Sequence, residues 1–214
     1  MLPKITVITA SYNSGKTIAD TIDSVLKQEY PNIEYLIIDG GSLDNTMSIV
    51  KQYENLFDGR LKYISEKDSG IYDAWNKGLK MAEGNWISFV GSDDILAENA
   101  FLDFIEFARK NEDVNFISSR TLLVTENLKP IRETGTPWTE TMNSYCCIAH
   151  VGSLHHETLF NRKGKFDSNF KIAGDYDFLL RCRDIIRPGI VDIISAKVRD
   201  GGISGRQILR VAKE

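Results

Sequence analysis

The stretch Trp86-Ile-Ser-Phe-Val-Gly-Ser-Asp-Asp94 decides the fold. An apolar run ends abruptly in two adjacent carboxylates. Its simplest reading is a buried strand whose last residues emerge at the C-terminal edge of a sheet, where open α/β sheets bind ligands. Two neighbouring Asp side chains there repel each other unless a cation or a ligand's donors sit between them. A hard divalent metal, held through carboxylate oxygen and shared with a phosphate, meets that need. The competing reading is a polar turn with a helix cap before Ile95. Acidic turns are common, so the rest of the chain decides.

Outward from this stretch, strand and helix alternate. Residues 5–9 form a short β-rich run. Ser11, Asn13, Ser14 and Gly15 make a loop, and Thr17 is placed to cap a helix in which Ile18, Ile22, Val25 and Leu26 share one face. Pro31 bounds that helix. Residues 34–38 read as a second strand, stopping at Asp39-Gly-Gly-Ser42. Asp44 is placed to cap the next helix, whose apolar side includes Met47, Val50 and Tyr53. A third strand over 61–64 leads through a polar stretch, 65–70, into a helix over 72–82 that Gly84 closes. The opening stretch is then the fourth strand. Units at roughly 30-residue spacing predict an α/β fold with a parallel, doubly wound sheet.

Further on, the pattern gives a helix over 99–110, with Phe101, Leu102, Ile105 and Ala108 inward, and a strand over 114–124. Residues 125–153 are irregular and suit a lid or an acceptor-side wall. A helix over 174–187 and a strand over 190–198 follow. After Gly201, Gly202 and Gly205 comes a basic, partly apolar tail, 206–213. The first, second and fourth strands thus end in Tyr12 and Asn13, in Asp39, and in Asp93 and Asp94. In a parallel sheet these ends share one edge. One crevice explains them better than three unrelated turns.

A length of 214 residues suits one large domain with a full core. A net charge of −4, with no basic stripe interleaved with aromatics, excludes a nucleic-acid partner. Cys146, Cys147 and Cys182 are odd in number and lack metal-ligand spacing, so the expectation is buried free thiols in a reducing cytosol. No signal-peptide pattern opens the sequence, and no run approaches ~18 apolar residues. The expected location is therefore the cytoplasm.

One lookalike competes. Ala10-Ser-Tyr-Asn-Ser-Gly-Lys-Thr17 follows a strand and opens a helix, as a phosphate-cradling P-loop does, with Ala in place of the first Gly. Tyr12 and Asn13 are bulky where a tight anion nest needs small residues. That reading also leaves 66–78 and 174–177 unexplained. No GxGxxG follows the first strand, which disfavours a dinucleotide site.

Taken together, the motifs resemble family 2 glycosyltransferases with the GT-A fold. The resemblance rests on Thr9-Ala-Ser-Tyr-Asn13, Ile38-Asp-Gly-Gly-Ser42 followed by Asp44, Glu66-Lys-Asp-Ser-Gly-Ile-Tyr-Asp-Ala-Trp-Asn-Lys-Gly78 and Gly91-Ser-Asp-Asp94. Further on it rests on His156-Glu-Thr-Leu-Phe160 and Gly174-Asp-Tyr-Asp177. The segment around Asp68 most resembles bacterial members that build surface polysaccharides. The resemblance implies a Rossmann-like, mostly parallel sheet flanked by helices, in one domain. Residues 1–98 would bind the nucleotide-sugar and 99–214, the smaller acceptor-side region, the acceptor.

It also implies roles. Thr9, Tyr12 and Asn13 belong to the donor-binding opening, with Tyr12 stacking on the nucleobase. Asp39 would accept a hydrogen bond from uracil. Asp94 would ligate Mn2+ or Mg2+ on the diphosphate, and Asp93 would contact the ribose or the metal's surroundings. Asp68 and Asp73 would face the donor sugar or ribose, although Asp73 serves equally as a helix cap. Asn76 and Lys77 would brace the wall. Asp175 matches the general base of inverting members, with Asp177 as the alternative carboxylate. His156 would line the acceptor side, and residues 201–204 resemble a late loop near the diphosphate. The implied partners are a UDP-sugar donor and a glycan or lipid-linked acceptor, with peripheral contact to the inner membrane; the basic-apolar tail 208–213 suits that contact, although a simple surface helix explains it better.

Overall fold

The structure, a computed structural model, describes residues 2–202. Its centre is built by apolar alternation. In β1 (Ile5–Ser11), Ile5 and Val7 face one layer and Ile8 the other. In β2 (Ile33–Asp39), Tyr35 and Ile37 join the first layer, and Leu36 and Ile38 the second. Three helices cover the first face through Ile18, Ile22, Val50, Phe101 and Phe104: α1 (Ile18–Leu26), α2 (Thr46–Tyr53) and α4 (Ala100–Lys110). The second face is covered by α3 (Ile71–Met81), α5 (Glu157–Lys163) and α6 (Gly174–Cys182), through Tyr72, Trp75, Leu159 and Phe178. With both faces buried, the central strands need apolar side chains at nearly every position. Each large side chain so buried contributes about 1.5–3 kcal/mol by leaving water.

The remaining strands are β3 (Leu61–Ser65), β4 (Trp86–Phe89), β5 (Ile95–Leu96), β6 (Phe116–Val124), β7 (Pro130–Thr134), β8 (Ser153–His156) and β9 (Pro188–Arg199). Among the described residues they form one sheet in the order β3-β2-β1-β4-β8-β6-β9-β5, with β7 paired to β6. The first four are mutually parallel. β8 runs antiparallel between β4 and β6, which puts β6 and its parallel partner β9 back in the direction of β4. The C-terminal ends of β1, β2, β3, β4 and β9 therefore share a rim with the beginning of β8. The end of β8 lies at the opposite edge.

The structure departs from the expected elements where local signals were weak or misleading. The region 125–153 contains β7 and a short 3-10 turn, Glu140–Asn143. β7 begins on a proline and is mostly exposed, so it lacks the alternation that reveals half-buried strands. β8 and α5 are short and polar. The helix expected over 174–187 ends at Cys182, where the amides of Ile185 and Ile186 both turn back to the Cys182 carbonyl. Gly84 does not close α3, which stops at Met81; a Cβ at Gly84 would lie 2.6 Å from the Thr6 amide nitrogen. Thr17 precedes α1 without capping it, and its hydroxyl donates to the Ser92 carbonyl instead. Of the three cysteines only Cys182 is buried; Cys146 is exposed. Ile203, Ser204, Gly205 and the tail lie outside the described residues. Among those described, no helix is long and apolar enough to cross a membrane.

Candidate active site

The rim is organised around Asp39. Sheet register sets Ser11, Asp39 and Ser65 side by side at the ends of β1, β2 and β3. The carboxylate is wholly buried and accepts from the hydroxyls of Ser11, Ser42 and Ser65 and from the amides of Gly41 and Ser42. Burial pushes its pKa up, but these donors, Ser42 foremost, outweigh it and hold the group below the ordinary carboxylate value. The two loops above it are tied together through Asn13. Its amide donates to Ser42 Oγ (2.8 Å), and its side-chain carbonyl accepts from Leu43 N (2.9 Å). Tyr12 stands at the crest, 61% exposed, with Leu43 90% exposed nearby in sequence to that anchor. Thr9 is a correction: it is fully buried and accepts a hydrogen bond from Tyr35 Oη, so its observed role is to support the strand.

The same loop decides against a phosphate cradle. The amides of Asn13, Ser14 and Gly15 donate to Ser42 Oγ, Thr46 Oγ1 and Asp44 Oδ2. A phosphate would find these donors already occupied. The expected cap role of Asp44 is thus shared: its Oδ1 also accepts from the Thr46 amide at the start of α2.

Asp94 is almost completely buried just past β4. Its Oδ2 accepts from Gly91 N at 3.2 Å and its Oδ1 from Arg199 N at 3.3 Å, both long contacts. A Cβ at Gly91 would lie 2.5 Å from Asp94 Oδ2 and 2.9 Å from Asp93 Oδ1, so both carboxylates lean over this glycine. Burial, reinforced by the Asp93 charge, pushes Asp94 up to about 7. Arg199 closes the back of the loop, pairing with Asp20 and donating to the Asp93 carbonyl. Among the described residues no group of three or more His, Cys, Asp or Glu side chains forms a metal centre. Two adjacent carboxylates nevertheless suit a hard divalent ion that completes its coordination with phosphate and water.

The segment between β3 and α3 is the third wall. The Glu66 amide donates to the Asp39 carbonyl, and Asp68 lies over Gly40, where a Cβ would be 2.7 Å from its Oδ2. Burial, with help from the Asp73 and Asp39 charges, raises the Asp68 pKa against the Gly70 amide and Lys77. Asp73 sits in the first turn of α3 and accepts from Ser69 N at 3.1 Å, a capping contact. Lys77 pairs with Glu66 at 2.9 Å, and Asn76 clamps both backbone groups of Phe166 at 2.9 and 3.1 Å.

In α6 the two candidate carboxylates separate. Asp177 pairs with Arg181 at 2.8 Å, and Arg181 also holds the carbonyls of Lys163 and Lys165. Asp177 is therefore held in an ion pair within α6, a correction to its expectation as the alternative carboxylate. Asp175 is partly exposed; its Oδ1 accepts from Tyr176 N (2.9 Å) and lies 3.2 Å from Tyr72 Oη, whose proton goes to the Ile172 carbonyl. Gly174 makes that approach feasible, because a Cβ there would lie 2.8 Å from the Tyr72 ring. His156 is a second correction. It pairs in register with Trp86, the first residue of β4, and accepts from the Thr158 amide to cap α5. Strand direction thus puts it on the edge opposite Asp39 and Asp94. The histidine on the Asp175 side is His150, which sequence reasoning missed; it stands alone in a segment without periodicity.

A Rossmann-like sheet whose carboxylate-rich rim is bounded by such loops is a GT-A fold. Residues 6–167 match the family model for glycosyl transferase family 2, and the chain belongs to that family. A PGL/p-HBAD biosynthesis glycosyltransferase from Mycobacterium bovis is 26% identical over 181 residues, covering 84% of this chain and 70% of that protein. A putative teichuronic acid biosynthesis glycosyltransferase, TuaG of Bacillus subtilis, is 40% identical over 106 residues, covering 49% of this chain and 42% of that one. Among solved structures, S. aureus TarS 1–349 in complex with UDP-GlcNAc superposes with a TM-score of 0.77 at 23% identity, over 92% of this chain and 58% of that chain. The mannosyltransferase PcManGT from Pyrobaculum calidifontis, in complex with GDP-Man and Mn2+, gives 0.74 at 18% identity, over 100% of this chain and 62% of that one. The chain thus spans about 60% of the solved chains it matches.

Proposed function

We propose that the chain is an inverting, divalent-metal-dependent glycosyltransferase that moves a sugar from a UDP-sugar to a growing glycan or lipid-linked acceptor in surface polysaccharide synthesis. The observation that carries this reading is Asp94: a buried carboxylate beside a second one, pushed up to about 7, on the strand-end rim that also holds Asp39. In this reading Asp94, with Asp93, holds the diphosphate's Mn2+ or Mg2+, and the ion supplies charge neutralisation for the departing nucleoside diphosphate. Tyr12 stacks on the base. Asp39 fixes the loop beneath it, and a uracil imide N–H reaches Asp39 by replacing one of its serine donors. Asp68 contacts the donor sugar or ribose.

Asp175 takes the proton from the acceptor hydroxyl as that oxygen attacks the anomeric carbon. Residues 1–98 serve the donor and 99–214 the acceptor. The polysaccharide relatives support the acceptor class, and a cytoplasmic location at the membrane's inner face fits it.

The test is UDP release from a panel of UDP-sugars with Mn2+. Release that Asp94→Ala abolishes is the expected result. No release from any donor, with no UDP binding, would overturn the reading.

A further inference from the structure

His150 packs against the indole of Trp75 and the ring of Phe89, with centroids at 5.0 and 5.3 Å and interplanar angles of 25° and 23°. Its side chain is only 10% exposed, yet neither ring nitrogen has a hydrogen-bond partner. An unmade hydrogen bond in such a place costs about 1–3 kcal/mol. An apolar ring would fill the same slot without that cost. Nδ1 lies 4.0 Å from Asp175 Oδ2, within reach of a small side-chain rotation. The other carboxylate oxygen, Oδ1, already accepts from Tyr176 N and lies 3.2 Å from Tyr72 Oη, whose proton goes to the Ile172 carbonyl. A carboxylate oxygen has two lone-pair sites, so Oδ2 has room for the His150 N–H and for an acceptor hydroxyl.

We propose that His150 is a positioning residue for Asp175: its Nδ1–H donates to Oδ2 and orients the remaining lone pair of that oxygen toward the acceptor hydroxyl. This rests on the reading of Asp175 as base. In the step, the acceptor O–H proton moves to Oδ2, the acceptor oxygen bonds the anomeric carbon, and the bond to phosphate breaks with its electron pair leaving on UDP. His150 keeps its own proton throughout.

The surroundings favour a neutral ring. Burial lowers the His150 pKa, and the Asp175 charge opposes that shift. The second titratable neighbour is His155 of β8, at a ring distance of 5.0 Å. The Asp175 charge also faces Cys146 and Tyr72, whose pKa values burial raises first and that charge raises further, and the facing groups of α3 and β4 are the uncharged Trp75 and Phe89.

Two variants separate a hydrogen-bonding role from a packing one. His150→Phe keeps the ring between Trp75 and Phe89 and deletes the N–H. His150→Asn deletes the ring but places an amide N–H near the Nδ1 position. The proposal expects His150→Phe to melt at or above the parent and to lose at least about tenfold in kcat for UDP release, with the KM for the donor unchanged. It expects His150→Asn to melt lower and retain more turnover than His150→Phe. The reverse order of turnover would overturn it. A second measurement, 15N NMR of the imidazoles in the full chain, reads the contact without any turnover. Asp175→Ala should shift the His150 Nδ1 resonance and lower its titration midpoint while leaving His156 unmoved; an unchanged His150 would overturn the proposal. Full turnover in Asp175→Ala would sink the base reading, whereas loss there with full turnover in His150→Phe would sink the positioning role alone.

Discussion

At Asp94 the fold stores a charge that it does not itself satisfy. The carboxyl's ordinary value is near 3.8, and burial followed by Asp93 raises it to about 7. The folded chain therefore binds this proton more tightly than the unfolded chain does. The contribution of this group to stability is greatest below pH 4, falls as pH rises toward 7, and is flat above, with a total loss of up to about 4 kcal/mol. Melting at pH 5 and pH 8, compared with Asp94→Asn, should show about 3 kcal/mol of that loss in the metal-free protein, and Mn2+ should recover it at pH 8 but not at pH 5. Asp94→Asn should abolish both effects; a wild-type profile without slope would refute the account. Tyr12 makes a different prediction. Its exposed ring has little to do for folding, so Tyr12→Ala should leave the melting temperature alone and weaken UDP binding by about 1 kcal/mol or more in calorimetry. Residues of this kind were legible because their chemistry sits in contiguous motifs at strand ends. Thr9 and His156 were misread because a motif gives a position along the chain, whereas side-chain direction and strand polarity decide which surface that position meets.

The elements differ in how openly they declare themselves. α1, α3 and α4 show a clear apolar stripe; the expected spans of α3 and α4 match the structure within a residue, whereas α1 stops at Leu26, several residues before the Pro31 expected to end it. β8 and α5 have no such signal, since Ser153–His156 is a strand only because β4 and β6 flank it on both sides. Tertiary pairing overrides local preference there. The segment leading to Asp175 is likewise held by contacts distant in sequence, above all the Asn76 clamp on Phe166. Removing the clamp leaves a backbone amide and carbonyl without their partner. Asn76→Ala should therefore cost about 1–3 kcal/mol and speed hydrogen exchange at the Phe166 amide. An unchanged exchange rate would show that the clamp is dispensable.

For the molecule as a whole, the two halves of the cleft became visible to different degrees for one physical reason. The rim that holds Tyr12, Asp39 and Asp94 is built from C-terminal ends of parallel strands, which share one edge whatever the strand order, so these three could be placed together from sequence. His150 and Asp175 come from segments on either side of β8 and approach to 4.0 Å, a meeting that no motif or spacing announces. The donor side should also behave as a coupled unit. If Asp94 needs a cation and the cation needs phosphate oxygens, UDP and Mn2+ should each stabilise the protein weakly alone and strongly together. Binding at a hundredfold excess over Kd is worth about 2.7 kcal/mol, a readily measured rise in melting temperature. Lys16→Ala should leave that rise intact, because the amides around this residue already serve Ser42, Asp44 and Thr46. A rise produced by nucleotide without metal, and lost in Lys16→Ala, would move the phosphate site to the β1–α1 loop and overturn the arrangement argued for Asp94.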